Sequence, residues 1–270
     1  MRLDSWPLLQ PSWPAARVKL PAWISVANAA RSSSSLIRLF PHENPRLPIG
    51  RIIAKNRTPR LAAHPLHEST TMKIVLIGAS GTVGSAIATE LDQRHEVIKV
   101  GRTRGDHQVD IADATSIRQL FEQVGPFDAL VSAVGSVTFK ALGEMNDSDF
   151  SLGLQNKLMG QVNLVLIGRE FANDGASFTL TSGILNRDPI RTGASAAMVN
   201  GALDAFVRAA AIELPRGLRI NAVSPTVLEE AMGSYAPYFR GYKPVPAAVV
   251  ALAYGKSVEG LQTGQVFIVG

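Results

Sequence analysis

The chain has 270 residues, 46% hydrophobic and 18% charged, with 27 basic against 22 acidic side chains and no cysteine. That length suits one large α/β domain or two small ones. The missing cysteine excludes disulfides, thiolate metal sites, iron–sulfur clusters and a cysteine nucleophile, and no window approaches the roughly 18 consecutive apolar residues of a membrane span.

The net charge of +5 averages two unlike segments. Residues 1–71 hold ten Lys and Arg against three acids, +7, which leaves 17 basic and 19 acidic groups, −2, for residues 72–270. The first segment also carries nine of the 16 prolines, all three tryptophans and only Gly50 of the 23 glycines. Prolines at this density break helices and central strands, and no period of 3.6 or 2 is sustained, so a disordered basic extension is expected. Three origins compete. An organelle transit peptide fits the Arg- and Ser-rich, acid-poor composition but not the prolines. A secretory signal fits worse, since its apolar stretch near Ala22–Ala30 is short and too far in. A start codon assigned too early would make Met72 the true first residue, and the strand beginning directly after Met72 favours that reading. Basic patches interleaved with aromatics are absent from 72–270, so no nucleic-acid partner is expected.

From Met72 the elements come in order. Lys73–Ile77 (KIVLI) reads as a fully buried strand. It runs into Gly78-Ala79-Ser80-Gly81-Thr82-Val83-Gly84 and then a helix with Val83, Ile87 and Leu91 on one face. Strand, glycine-rich turn and helix together let backbone N–H groups meet a pyrophosphate. Strand Glu96–Val100 ends in Gly101-Arg102-Thr103-Arg104. An NAD site would place an acid here for the ribose 2′-hydroxyl. Two arginines stand there instead, and guanidinium forks suit a 2′-phosphate, so NADP(H) is expected over NAD(H).

Asp110-Ile111 precedes a helix capped by Asp113, with Ile117, Leu120 and Val124 inward. Next come a buried strand at Phe127–Val134 ending at Gly135, one long helix through Phe150–Phe171, and strand Ser177–Leu180 followed by Thr181-Ser182-Gly183. An alanine-rich helix over 194–213, strand Leu218–Val223, Ser224-Pro225-Thr226, helix Pro246–Ser257 and strand Gln265–Val269 complete the chain. The alternation predicts a doubly wound parallel sheet, a Rossmann fold in three α/β/α layers, as a single domain over 72–270. Of the five histidines, three lie in the extension, and His95 and His107 lie in polar, surface-like segments without metal-ligand spacing, so no metal is expected.

This ordered set, GASGTVG, Asp110-Ile111, Ser132-Ala133-Val134-Gly135, Thr181-Ser182-Gly183, LRINAVSPTV and the final Thr263-Gly264-Gln265-Val266, resembles the short-chain dehydrogenase/reductase family over essentially all of 72–270. The resemblance implies that Gly78, Ser80, Gly81, Thr82 and Val83 hold the pyrophosphate and that Asp110 and Ile111 touch adenine. It implies that Ala133, Val134 and Gly135 replace the family's Asn-Ala-Gly turn, and that the Pro225 loop and Val227 hold the nicotinamide carboxamide. Arg102 and Thr103 complete the expected cofactor set.

The family reduces carbonyls with a Ser, a Tyr four residues before a Lys, and an Asn one helix earlier. Ser182 matches the Ser. Ala196 stands at the Tyr position, Asn200 at the Lys position and Lys157 at the Asn position. A positioned acid typically contributes about 100- to 10,000-fold in rate. Two substitutes are visible: Lys157, expected near Ser182 and Asn200 and able to stabilise or protonate an oxyanion, and Tyr235, Tyr238 and Tyr242 in the loop after Pro225, where the family places a substrate lid. Like charge from the oxidised nicotinamide ring should lower the Lys157 pKa. Two functions stay open: an NADP(H)-dependent oxidoreductase with a rewired site built on Ser182 and Lys157, or a catalytically silent NADP(H)-binding sensor or partner subunit. A small-molecule substrate, a cytoplasmic compartment, no membrane partner, and a homodimer or homotetramer formed through the helices over 150–171 and 194–213 complete the expectations.

Overall fold

The structure, a computed structural model, describes residues 71–270; the expected disordered extension falls outside the described residues. Strand β1 (Lys73–Ile77) leads into α1 (Thr82–Leu91), β2 (Glu96–Gly101), β3 (His107–Gln108) and α2 (Ala114–Val124). Then follow β4 (Phe127–Ser132), α3 (Asp147–Leu152), α4 (Met159–Gly168), β5 (Ala172–Thr181) and α5 (Ala194–Glu213). Strand β6 (Arg219–Pro225), α6 (Met232–Tyr235), α7 (Ala247–Glu259) and β7 (Val266–Val269) end the chain.

Among the described residues seven strands form one parallel sheet in the order β3-β2-β1-β4-β5-β6-β7. Helices cover both faces, as the alternation predicts. β1 shows why its sequence is a continuous apolar run: Val75 and Ile77 join the core shared with α2, α4 and α5, while Ile74 and Leu76 join the core shared with α1 and α7. A strand packed on both faces has no polar side to display. Helix α2 starts where expected, because the Asp113 carboxylate accepts from the Thr115 N–H at 2.8 Å.

Three boundaries differ from the sequence reading. The helix expected to run unbroken from Phe150 to Phe171 is interrupted by a π-helical turn over Gly153–Leu158, between α3 and α4. A single six-residue turn of this kind is too short for its own period to stand out in the sequence. Strand β5 begins at Ala172, five residues before the apolar run that marks it, because Asn173-Asp174-Gly175 is polar and exposed yet Ala172 pairs with Phe127. Strand β3 has two residues, too few to show any alternation. His95 is also not surface-like: it is 9% exposed, its Nδ1 accepts from the Met72 N–H, and its Nε2 lies 3.1 Å from Glu259.

Among the described residues, no helix is long and apolar enough to cross a membrane.

Candidate functional site

The sheet order reverses between β1 and β4, which opens a crevice beyond their C-terminal ends, the usual ligand position in this architecture. Gly78, Gly101, Arg102, Asp110, Ile111, Val134, Gly135, Ser136 and Asn156 line the cleft there. The floor is the glycine turn. Gly78 has φ +87°, and a Cβ on it would lie 2.5 Å from Val134 Cγ1 and 2.6 Å from the Ala133 oxygen. A Cβ on Gly84 would collide with the Gly78 carbonyl oxygen, so α1 can seat this close only with glycine there. Gly81 is the N-cap of α1 and no side chain caps that end. The first N–H groups of α1 are therefore offered to an anion. Ser80, Gly81 and Thr82 are exposed at this turn, while Val83 packs against the core beneath.

The adenosine end is built by β2, β3 and the turn before α2. Gly101-Arg102-Thr103-Arg104-Gly105 loops out and returns. Its neck is tied by two hydrogen bonds, Asp106 N–H to the Lys99 oxygen at 2.7 Å and Lys99 N–H to Asp106 Oδ2 at 2.8 Å. The Arg102 side chain is 79% exposed and its Nη2 lies 3.6 Å from Asp110 Oδ2. Asp110 Oδ1 accepts from the Ala112 N–H at 3.0 Å, which fixes the carboxylate. Ile111 is buried at the cleft wall, and Thr103 holds the loop through Gln108, which donates to its oxygen.

The far end gathers the four positions that the resemblance assigns to chemistry, 157, 182, 196 and 200. The π-helical turn carries both Asn156 and Lys157. Asn156 Oδ1 accepts from the Ser136 N–H at 2.8 Å and so anchors the segment after β4. The Lys157 ammonium donates to the backbone carbonyl oxygen of Ser182 at 3.0 Å and to Asn200 Oδ1 at 2.7 Å. The Lys157 stem passes so close to Gly135 (φ +126°) that any side chain at 135 would strike it. Burial lowers the Lys157 pKa to about 8, and the carboxylate of Asp204, one turn beyond Asn200 on α5, opposes that shift. Desolvation is the cause within the protein itself, and the like charge of an oxidised nicotinamide ring would add to it. An ammonium has three donors and two are engaged, which leaves one for a reacting oxygen.

Ser182 is 3% exposed and its hydroxyl has no hydrogen-bond partner. A buried hydroxyl in this state costs free energy unless it serves a ligand or another function. Asn200 is engaged at both ends of its amide, accepting from Lys157 and donating to the Gly183 carbonyl oxygen at 3.2 Å. Ala196 is 3% exposed and packs with Leu185, Val227 and Phe239 in a small apolar cluster that Met232 and Tyr242 border. Pro225 ends β6, and the Val227 oxygen accepts from the Val245 N–H at 3.1 Å.

The tyrosines divide by their partners. Tyr254 is fully buried, and its hydroxyl meets Thr181 Oγ1 behind the sheet. The Tyr242 hydroxyl donates to the Asp188 oxygen at 3.0 Å. Tyr235 stacks edge-on with Phe139 and Phe239. An aromatic ladder, Phe139–Tyr235–Phe239–Tyr242, thus ties the segment after β4 to the segment after β6. Sequence reasoning passed over Asn156 and Asp204, whose helical spacing reads as ordinary polar decoration.

The family described as Enoyl-(Acyl carrier protein) reductase matches residues 78–254, from the first glycine of the turn to the buried Tyr254. The chain belongs to the short-chain dehydrogenase/reductase family. Protein lin1944 of Listeria innocua is 55% identical to this short-chain dehydrogenase/reductase over 74% of its chain and all of that structure, with a TM-score of 0.73. A small-chain dehydrogenase solved in complex with NADPH is 25% identical over 74% of this chain and 97% of its own, TM-score 0.66. The L-xylulose reductase of Mesocricetus auratus is 25% identical over 180 residues, 60% of this chain and 73% of that protein.

Proposed function

We propose that this short-chain dehydrogenase/reductase is an NADP(H)-dependent oxidoreductase acting on a small-molecule carbonyl or related acceptor through a rewired site in which Lys157 replaces the family's tyrosine acid. The observation that carries this reading is the Lys157 ammonium held between Ser182 and Asn200, with one donor left over, beside an unpartnered buried Ser182 hydroxyl. The solved relative bound to NADPH and the curated relatives named reductases support it.

The chain's own residues fit the cofactor. N–H groups of Ser80, Thr82 and Val83 at the uncapped start of α1 suit a pyrophosphate, while Gly78 and Gly81, whose own N–H groups donate to the Val100 and Gly78 carbonyl oxygens, shape the turn that presents them. Arg102 and Arg104, with Thr103 between them, suit a 2′-phosphate, and Asp110 and Ile111 flank the adenine position. Ala133, Val134 and Gly135 would hold the ribose, and Pro225 and Val227 the carboxamide. When bound, the nicotinamide exchanges hydride with substrate. Ser182 then donates a hydrogen bond to the substrate oxygen, and Lys157 stabilises the negative charge developing there and gives up a proton. With its pKa at about 8, the ammonium transfers readily and recovers its proton from solvent near neutral pH. Reduction therefore falls as pH rises through 8.

The same reading confines the activity to residues 72–270, in the cytoplasm. It also pairs copies into a homodimer or homotetramer across α4 and α5, whose outer face shows Met159, Leu166, Met198 and Ile212 at 43%, 40%, 40% and 87% exposure.

Hydride transfer followed by NADPH fluorescence across a panel of ketones, aldehydes, imines and quinones tests the reading. Turnover of any member that is lost in Lys157→Ala supports it. NADPH binding with no turnover across the panel contradicts it and leaves a cofactor-binding protein.

A further inference from the structure

Asp110 is placed in the cleft for more than adenine. Its Oδ1 is fixed on the Ala112 N–H, which turns Oδ2 toward Arg102 Nη2 at 3.6 Å. Arg102 stands on a loop whose neck is closed by the reciprocal Lys99–Asp106 hydrogen bonds, so the guanidinium is presented from a rigid base. Among the described residues, no other carboxylate lies within salt-bridge distance of it. The cleft therefore holds a cation and an anion 3.6 Å apart in its lining, the cation from the end of β2 and the anion from just after β3.

Resting on the NADP(H) reading above, we propose that Asp110 is a specificity-determining residue that competes with the 2′-phosphate for Arg102 and so moderates the preference for phosphorylated over unphosphorylated cofactor. A ligand without the phosphate leaves the Arg102–Asp110 pair intact. A ligand with it exchanges one anionic partner of Arg102 for another, and part of the phosphate's attraction goes to breaking the pair. The pair is solvent-exposed, 79% at Arg102 and 44% at Asp110, so its contribution is small and falls with salt. In fold-change, exposed pairs of this kind correspond to about two- to five-fold in an equilibrium constant. Asp110→Asn keeps the Oδ1 acceptor for Ala112 and removes only the charge.

The test is calorimetric binding of 2′,5′-ADP and of 5′-ADP to the full chain, the Asp110→Asn and Arg102→Ala variants and the double variant, each at about 20 mM and about 300 mM salt, either side of physiological ionic strength. The expected result is a 2′,5′-ADP to 5′-ADP affinity ratio about two- to five-fold wider in Asp110→Asn at low salt, less widened at high salt, and no widening by the same change once Arg102 is Ala. An unchanged or narrower ratio in Asp110→Asn overturns the proposal, as does equal widening in the Arg102→Ala background, which would mean direct repulsion of the phosphate. If the unmodified chain binds neither nucleotide, or binds 5′-ADP as tightly as 2′,5′-ADP, the cofactor reading itself fails and the proposal goes with it.

Discussion

Lys157 and Asn200 are exchanged across one contact: the ammonium on the π-helical turn donates to the amide oxygen on α5 at 2.7 Å, where the family pattern has an asparagine on the first element and a lysine on the second. The cation stays in the site but comes from the opposite wall. With Ala196 at the tyrosine position, Lys157 is the cation that hydrogen-bonds at Ser182.

That exchange constrains any attempt to restore the family's site. Asn200→Lys combined with Ala196→Tyr would set two ammonium groups against each other where one hydrogen bond now stands. Removing the partner of a buried charge costs about 3–5 kcal/mol, and tyrosine in the cluster of Leu185, Val227 and Phe239 adds an overpacking cost of about 1–3 kcal/mol. The double variant is expected to be strongly destabilised. The triple variant with Lys157→Asn should recover most of the ionic cost and gain ketone reduction. Urea melts of the two variants side by side check this, and equal stability would contradict it.

The glycine turn gives a second expectation. Gly84→Ala drives a methyl into the Gly78 carbonyl, so α1 must shift off the sheet. A loss of about 1–3 kcal/mol in stability follows from overpacking, together with weakened NADPH binding through the displaced N–H groups. Fluorescence titration with NADPH at a temperature where the variant remains folded reads the second effect separately.

Cofactor choice rests on Arg102. Arg102→Asp should weaken NADPH by about 10- to 100-fold, the range for losing one charge-assisted hydrogen bond of about 1.5–3 kcal/mol, while NADH changes little. Calorimetry that finds both cofactors weakened equally would remove Arg102 from the phosphate site.

Much of this was legible from residue order. KIVLI followed by GASGTVG specifies a strand, a turn and an α1 N-terminus by local chemistry alone, and Asp113 marks the start of α2 by the same means. Lys157, Ser182 and Asn200 lie 43 residues apart at most, yet alignment to the family's spacing brings them together, as the fold does. The π-helical turn was not legible, since an extra residue in a helical turn changes aim without changing composition. Nor was the burial of His95, because its partners Met72 and Glu259 lie 23 and 164 residues away. Nor is the burial that lowers the Lys157 pKa, since desolvation is something sequence spacing does not express.

The lysine's titration also reaches stability. Its folded pKa of about 8 lies below the ordinary lysine value of 10.5. Between these two values the unfolded chain holds a proton that the folded chain has released. This group therefore makes stability rise with pH from about 8 to 10.5, and its burial cost is fully present below 8. Lys157→Met removes that dependence. Its stability relative to the unmodified chain should be constant below pH 8 and decline from pH 8 to 10, as judged by urea midpoints. A difference that stays flat across that range would mean the ammonium is well solvated.

The central claim is that Lys157 performs the proton chemistry that the family assigns to tyrosine. On any substrate found by the panel, the decisive measurement is kcat for Lys157→Ala set against its NADPH dissociation constant, with Ser182→Ala as the comparison. The account predicts a fall in kcat of about 100-fold or more for Lys157→Ala, NADPH affinity within about threefold of the unmodified chain, and a smaller loss for Ser182→Ala, about the worth of one neutral hydrogen bond. Unchanged kcat in Lys157→Ala, with the protein folded and NADPH bound, would contradict it.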